Sequence, residues 1–212
     1  AITLSSLARR KMTESFCLTW GLVALMMILA GLVLRPYGIA GMLSPTALVV
    51  IIVVGYKGKE LREFLNGLHI NIPIQFVENP DFGKTNNIYS LYLARKYLCE
   101  EDTILLESDI IFEPEVLDVL LEDPRDTLAL VDHYESWMDG TCLKLREDDS
   151  IEAFIAGKSL KFSEKDLYYK TVNIYKFSKS FSINRYVPFL EAYSKALGNN
   201  EYYEQVLKVL AV

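Results

Sequence analysis

Long basic runs, clustered cysteines and histidine motifs are all missing from this chain. Net charge is -6 and the calculated pI about 5.1. General binding to nucleic acid through phosphate neutralisation is therefore disfavoured. The 3 cysteines, Cys17, Cys99 and Cys142, are odd in number and widely spaced, and the 2 histidines, His69 and His133, lie far apart. Such spacing supports neither a disulfide framework nor a zinc site, and the cysteines read as free thiols of a reducing compartment.

Charge is also absent from residues 16–34, FCLTWGLVALMMILAGLVL. As a helix this run is long enough to cross a hydrocarbon layer of roughly 30 Å. We expect a membrane segment over 1–38 with a span at about 16–34. Arg9, Arg10 and Lys11 precede it and place that end in the cytoplasm. A signal peptide is the competing reading, but the apolar run is long and the chain begins with Ala1 rather than Met. Residues 39–49 are a second apolar segment or linker. They decide the topology: a return through the membrane places the soluble part on the cytoplasmic face, which is the expected location.

From residue 50 the pattern alternates. VIIVVGYKGKELREFLNGL reads as a buried strand, a turn at Gly55 to Gly58 and an amphipathic helix carrying Leu61, Phe64, Leu65 and Leu68 on one face. IPIQFVENP is a strand stopped by Pro80, and TNNIYSLYLARKYL a helix begun by Thr85 or an asparagine. DTILLESDIIF, residues 102–112, is an apolar strand with Glu107, Ser108 and Asp109 set into it. PEVLDVLLED follows as a helix with Pro114 in its first turn, and TLALVDHY as a further strand. The alternation implies an α/β fold, an open and mostly parallel Rossmann-like sheet with helices on both faces. TCLKLRED, SIEAFIAG and YYKTVNIYKFS read as shorter strands of a small antiparallel extension, and VPFLEAYSKALGNNEYYEQVLKVL as two helices. An unpaired buried carboxylate costs several kcal/mol. Asp109, near the carboxyl end of its strand where ligands sit in such folds, therefore suggests a metal, a cation or a cleft.

VVGYKGKELREFL, VENPDFGKTNNIYSLYLARKYL, LLESDIIFEPEVLDVLL, ESWMDGT and YYKTVNIYKFS resemble the central part of the sugar-phosphate nucleotidyltransferase superfamily. They are most similar to its CTP:phosphocholine and 2-aminoethylphosphonate cytidylyltransferases. The likeness covers residues 50–212, a partial nucleotidyltransferase domain. The family's phosphate-holding GxGxRxxP loop does not occur in the chain, and the apolar segment stands where the first strand and that loop belong. Nor does a counterpart of the second metal-binding aspartate, in a segment resembling WYEIDDxxDL, appear before Val212.

The resemblance implies attack by a phosphate or phosphonate oxygen on the α-phosphorus of CTP, with pyrophosphate leaving and a divalent cation, Mg²⁺, neutralising the approach of two anions. Asp109 matches the family's metal-holding and catalytic aspartate. Asn86 and Asn87 match its TNNIYSL element at a helix start, with Ser90 one turn further in; their side chains are expected to bind the substrate phosphate or base, and Lys84 is a further phosphate contact. For a small phosphorylated or phosphonate amine, Trp137, Tyr169 and Tyr175 are expected to form an aromatic wall, with Asp139 or Glu204 as countercharge. His133 beside Asp132 reads as a strand-end histidine, since this transfer needs no strong base. The expected function is transfer of CMP from CTP to phosphocholine or an aminoalkylphosphonate, with contact to membrane lipid through the N-terminal span. The alternative is a non-catalytic, membrane-associated remnant or fusion module. A glycosyltransferase ranks last, because SDI offers one carboxylate where a DxD motif has two.

Overall fold

The structure, a computed structural model, describes residues 25–30, 48–68, 70, 72–138, 140–155 and 159–211, with the main chain alone of 25–30 and 162. Its strands are β1 (Leu25–Ala30), β2 (Leu48–Val54), β3 (Ile74–Glu78), β4 (Thr103–Glu107), β5 (Leu128–His133), β6 (Cys142–Leu145), β7 (Ile151–Ile155) and β8 (Tyr169–Phe177). Its principal helices are α1 (Gly58–Asn66), α2 (Asn87–Leu98), α3 (Glu115–Glu122), α4 (Val187–Leu197) and α5 (Glu204–Leu210). One sheet holds the strands in the order β3-β2-β1-β4-β8-β6-β7, with β5 paired along β8.

β2 and β3 pair in parallel, but β1 is antiparallel to both β2 and β4, and β8 is antiparallel to β4, β5 and β6. A mostly parallel sheet is therefore not what forms. The helical connections make β2, β3, β4 and β5 run in one direction, as the alternation implies. The slots between β2 and β4 and between β4 and β5 are then filled by strands running the other way. β8 is thus not part of a side sheet. It leaves the β6-β7 hairpin at Tyr169 and enters the main sheet beside β4.

A second correction concerns the expected membrane span. Leu25–Ala30, in the middle of residues 16–34, form β1 with Met26 opposite Ile52 on one side and Leu106 on the other. A strand paired on both edges satisfies its backbone polar groups as a helix would, and an uninterrupted apolar run fits either form. Among the described residues no helix is long and apolar enough to cross a membrane. The rest of segment 1–38, and residues 39–47, lie outside the described residues.

Strand alternation distributes the apolar side chains to two faces. Ile51, Val53, Leu105, Tyr175 and Phe177 point to the face covered by α2, α4 and α5, where Ile88, Leu91, Ala94, Leu98, Leu190 and Val206 complete the larger core. On the opposite face Ile52 and Val54 meet Leu61 and Leu65 of α1, while Ile104, Leu106 and Ile174 meet Val116 and Leu120 of α3. Each fully buried Leu or Ile contributes roughly 1.5–3 kcal/mol. Phe64 and Leu68, expected on the apolar face of α1, are exposed instead. α4 continues a turn that begins at Lys179 and passes through a π-helical segment, Ser182–Tyr186. Arg95 of α2 ties to Glu191 of α4 at 2.7 Å.

The loops after β2, β3, β4 and β5 meet at one edge of the sheet because those strands share a direction. Backbone closeness there is tight: a Cβ on Gly55 would lie 2.6 Å from the Cβ of Phe82 in the next loop. Gly55→Ala is expected to destabilise the protein by about 1–3 kcal/mol, the usual range for overpacking. A lowered urea midpoint with unchanged slope would show it.

Candidate functional site at the carboxyl edge

The loop after β3 is organised by Asn79, which is almost fully buried. Its backbone N–H donates to the Val54 carbonyl at 2.8 Å, and its Nδ2 donates to Thr85 Oγ1 and Ser90 Oγ, each at 3.2 Å. Its Oδ1 accepts from the Asp81 N–H at 3.0 Å. A buried amide with most of its bonding capacity used locks the loop to β2 and α2. Ser90 is wholly buried and serves this lock, so it does not face a cleft. Lys84 is exposed on the same loop, and Tyr56 and Phe82 form a partly exposed aromatic pair beside it, ring centroids 6.2 Å apart.

Asn86 caps α2, its Oδ1 accepting from the Asn87 N–H at 2.8 Å, while its own N–H donates to the Asn199 carbonyl at 2.9 Å. Asn87 is buried. Its Oδ1 accepts from the Tyr203 N–H at 2.9 Å and its Nδ2 donates to Glu107 Oε1 at 3.4 Å. The two asparagines therefore join the start of α2 to the segment before α5 and to the end of β4.

β4 ends at Glu107, and Asp109 sits two residues on, exposed in a turn. The carboxylate that the fold half-buries and hydrogen-bonds is Glu107, while Asp109 is exposed. The other Glu107 oxygen, Oε2, accepts from Asn173 Nδ2 at 2.9 Å. Asn173 lies in β8 with φ 59, at a bulge where the β5 register shifts between Ala129 and Val131. Asparagine is among the few side chains that adopt this left-handed conformation at low cost. Glu204, at the start of α5, lies within electrostatic reach of Glu107. Burial, then the charge of Glu107, pushes its carboxyl up to about 7. Burial followed by the charge of Asp109 raises Glu107 as well, against the lowering contributions of Tyr203, Asn173 and Lys170. Glu204 Oε2 and the Tyr175 and Tyr203 hydroxyls are buried without a hydrogen bond of good geometry.

Of the expected residues, Asn87, Tyr175 and Glu204 gather around Glu107, with Asn86 one residue away and Asp109 just outside. The aromatic wall is not assembled. Trp137 is 76% exposed, Tyr175 is buried in the core, and Tyr169 packs on the His133 ring with centroids 4.6 Å apart. Asp139 lies outside the described residues. Among the described residues no three His, Cys, Asp or Glu side chains converge as a metal cage. Asp109 instead offers one exposed oxygen-donor carboxylate. That fits Mg²⁺, which is commonly held by one or two carboxylates with water and substrate oxygens. A cavity of about 620 Å³ lies between β5, β7 and the end of α5; Tyr169 and Tyr175 line it, whereas Asp109, Asn87 and Glu204 do not.

Sequence reasoning passed over Glu107, Asn173, Asn79 and Tyr203. Two carried a usable signal: Glu107 is the first carboxylate of the same LLESDIIF stretch, and Asn173 is the odd polar residue inside a β-branched and aromatic strand, the mark of a bulge.

The mixed α/β fold is consistent with a nucleotidyltransferase-like fold. It matches the solved CTP:phosphocholine cytidylyltransferase of Streptococcus pneumoniae with a TM-score of 0.51 and 17% identity, over 75% of this chain and 63% of that one. In sequence, 156 residues are 30% identical to CMP-5'-(3-aminopropyl)phosphonate synthase of Streptomyces rubellomurinus, covering 73% of this chain and 25% of that protein. The chain thus spans a quarter of the length of that relative. Over its central part it resembles cytidylyltransferase-like nucleotidyltransferases. No family model matches it.

The raised Glu204 carboxyl makes stability depend on pH. Its folded value of about 7 lies above the ordinary 4.5, so between these pH values the folded state binds more protons than the unfolded one. The Glu204 contribution is therefore most favourable below pH 4.5 and is lost as pH rises to about 7. Glu204→Gln is expected to flatten this part of the profile, measured as melting temperature against pH from 5 to 8.

Proposed function

We propose that this chain forms part of a cytidylyltransferase that transfers CMP from CTP to a small phosphorylated or phosphonate amine, phosphocholine or an aminoalkylphosphonate, releasing pyrophosphate. The observation that carries the reading is Asp109. It is an exposed carboxylate held just beyond the carboxyl end of a central strand, in a chain that is 30% identical to a phosphonate-activating synthase over 156 residues.

In this reading an acceptor oxygen attacks the α-phosphorus of CTP, a new P–O bond forms, and the bond to the bridging oxygen of pyrophosphate breaks. Asp109 would hold Mg²⁺, which when bound would supply charge neutralisation and in-line alignment. Lys84, together with Lys57 in the loop after β2, lies on exposed loops of the same edge and supplies positive charge for the phosphates. Asn86 and Asn87 fix the start of α2 against the segment before α5, and so fix the position of this edge. The ammonium end of the acceptor is matched to Glu204, whose buried Oε2 lacks a partner and ionises more readily beside a cation.

Pyrophosphate release from CTP, followed with phosphocholine and with aminoalkylphosphonates as acceptors, tests the proposal. Asp109→Ala is expected to lower turnover by about 10²-fold or more, the scale of losing a preorganised charge-stabilising group. Equal rates in the two proteins would remove Asp109 from the reaction. Failure of the parent chain to bind CTP in titration calorimetry with Mg²⁺ present would favour the non-catalytic module instead.

A further inference from the structure

Resting on the nucleotidyltransferase reading of Asp109, we propose that Asn173 is a positioning residue for the metal-binding turn, holding the end of β4 through Glu107. The backbone ladder between β4 and β8 stops at Leu106 opposite Ile174. The next step along the two strands brings Glu107 beside Asn173, and there a side-chain bond replaces the ladder. The left-handed backbone of Asn173, φ 59, turns its amide toward β4, where Nδ2 donates to Glu107 Oε2 at 2.9 Å.

The amide is oriented by its own support. Lys170 Nζ donates to Thr171 Oγ1 at 3.4 Å, the Thr171 hydroxyl donates to Asn173 Oδ1 at 2.9 Å, and the Asn173 amide is left with its N–H groups facing Glu107. Lys170 Nζ also donates to the Thr171 carbonyl at 3.0 Å, which holds the ammonium in place. Asn87 supplies the second oxygen of Glu107 from the opposite element, α2. On the far side of the turn, Ile110 and Phe112 pack into the Leu120 cluster. Asp109 has no hydrogen bond or ion pair of its own among the described residues, so these two anchors set where its carboxylate stands. Groups that orient a metal ligand without touching the metal typically change affinity by about 10–100-fold when lost.

The test measures Mn²⁺ binding by electron paramagnetic resonance on the full chain, with and without CTP, so that it does not depend on turnover. Asn173→Gly keeps the left-handed backbone and deletes the donor, while Asn173→Asp keeps the size and turns an acceptor toward Glu107. Both are expected to weaken Mn²⁺ binding by about 10-fold or more. The reciprocal pair, Glu107→Gln with Asn173→Asp, restores one donor and one acceptor between the same positions and leaves an oxygen for Asn87. It is expected to recover binding to within about threefold of the parent, a non-additivity that assigns the effect to the 107–173 pair. Parent-like binding by both single variants, a reciprocal pair no better than Asn173→Asp, or no Mn²⁺ binding by the parent would each overturn the proposal. If the parent binds Mn²⁺ and the variants follow this order while CTP yields no pyrophosphate, the positioning role stands and the cytidylyltransferase reading fails.

Discussion

The half-buried, hydrogen-bonded carboxylate of Glu107 is the constraint on which the arrangement of this edge depends. An ionisable group at the end of a central strand has to be satisfied from several directions, and each donor comes from a different part of the chain. Asn87 reaches it from the first turn of α2 and Asn173 from the bulge of β8. Asn87 also accepts the Tyr203 N–H, so the same bond network seats α5 against the sheet.

The network works because it is embedded in an aromatic core. Tyr175 and Tyr203 meet edge to face at 5.8 Å, and Phe177 packs on both Phe181 and Tyr186 at 5.2 and 4.9 Å. These rings exclude water on the α2, α4 and α5 face. Low local polarity is what drives the Glu204 carboxyl upward and makes it sensitive to the neighbouring charge of Glu107. Packing and electrostatics are therefore not separate layers of this site: the core sets the cost of each buried charge, and the asparagines set which oxygen is relieved.

Much of the local structure was legible beforehand. β3, α2, α3, β5 and the two C-terminal helices follow from periodicity, Asn86 caps where a capping residue was expected, and Asp109 falls at the expected edge. The site was legible only in outline. Asn87 and Ser90 were read as ligand-facing, yet both have most of their polar atoms engaged inside the protein, because hydrogen-bond partners up to 116 positions away in sequence are invisible to spacing rules. Trp137 carried the right chemistry for a cation, but nothing in its own neighbourhood of sequence reveals whether other rings converge on it.

Composition and spacing by themselves determined the alternation of strand and helix, the common direction of β2, β3, β4 and β5, and hence the edge at which functional loops collect. These are local properties, set by side-chain period and by the turns between elements. Tertiary structure alone decided that the apolar residues 25–30 pair as a strand between β2 and β4, that β8 crosses into the main sheet, and that Glu107 rather than Asp109 is the half-buried, hydrogen-bonded carboxylate. Each of those outcomes turns on which distant segment supplies the hydrogen-bond partner, and an apolar run or a lone acid is compatible with more than one until that partner is in place.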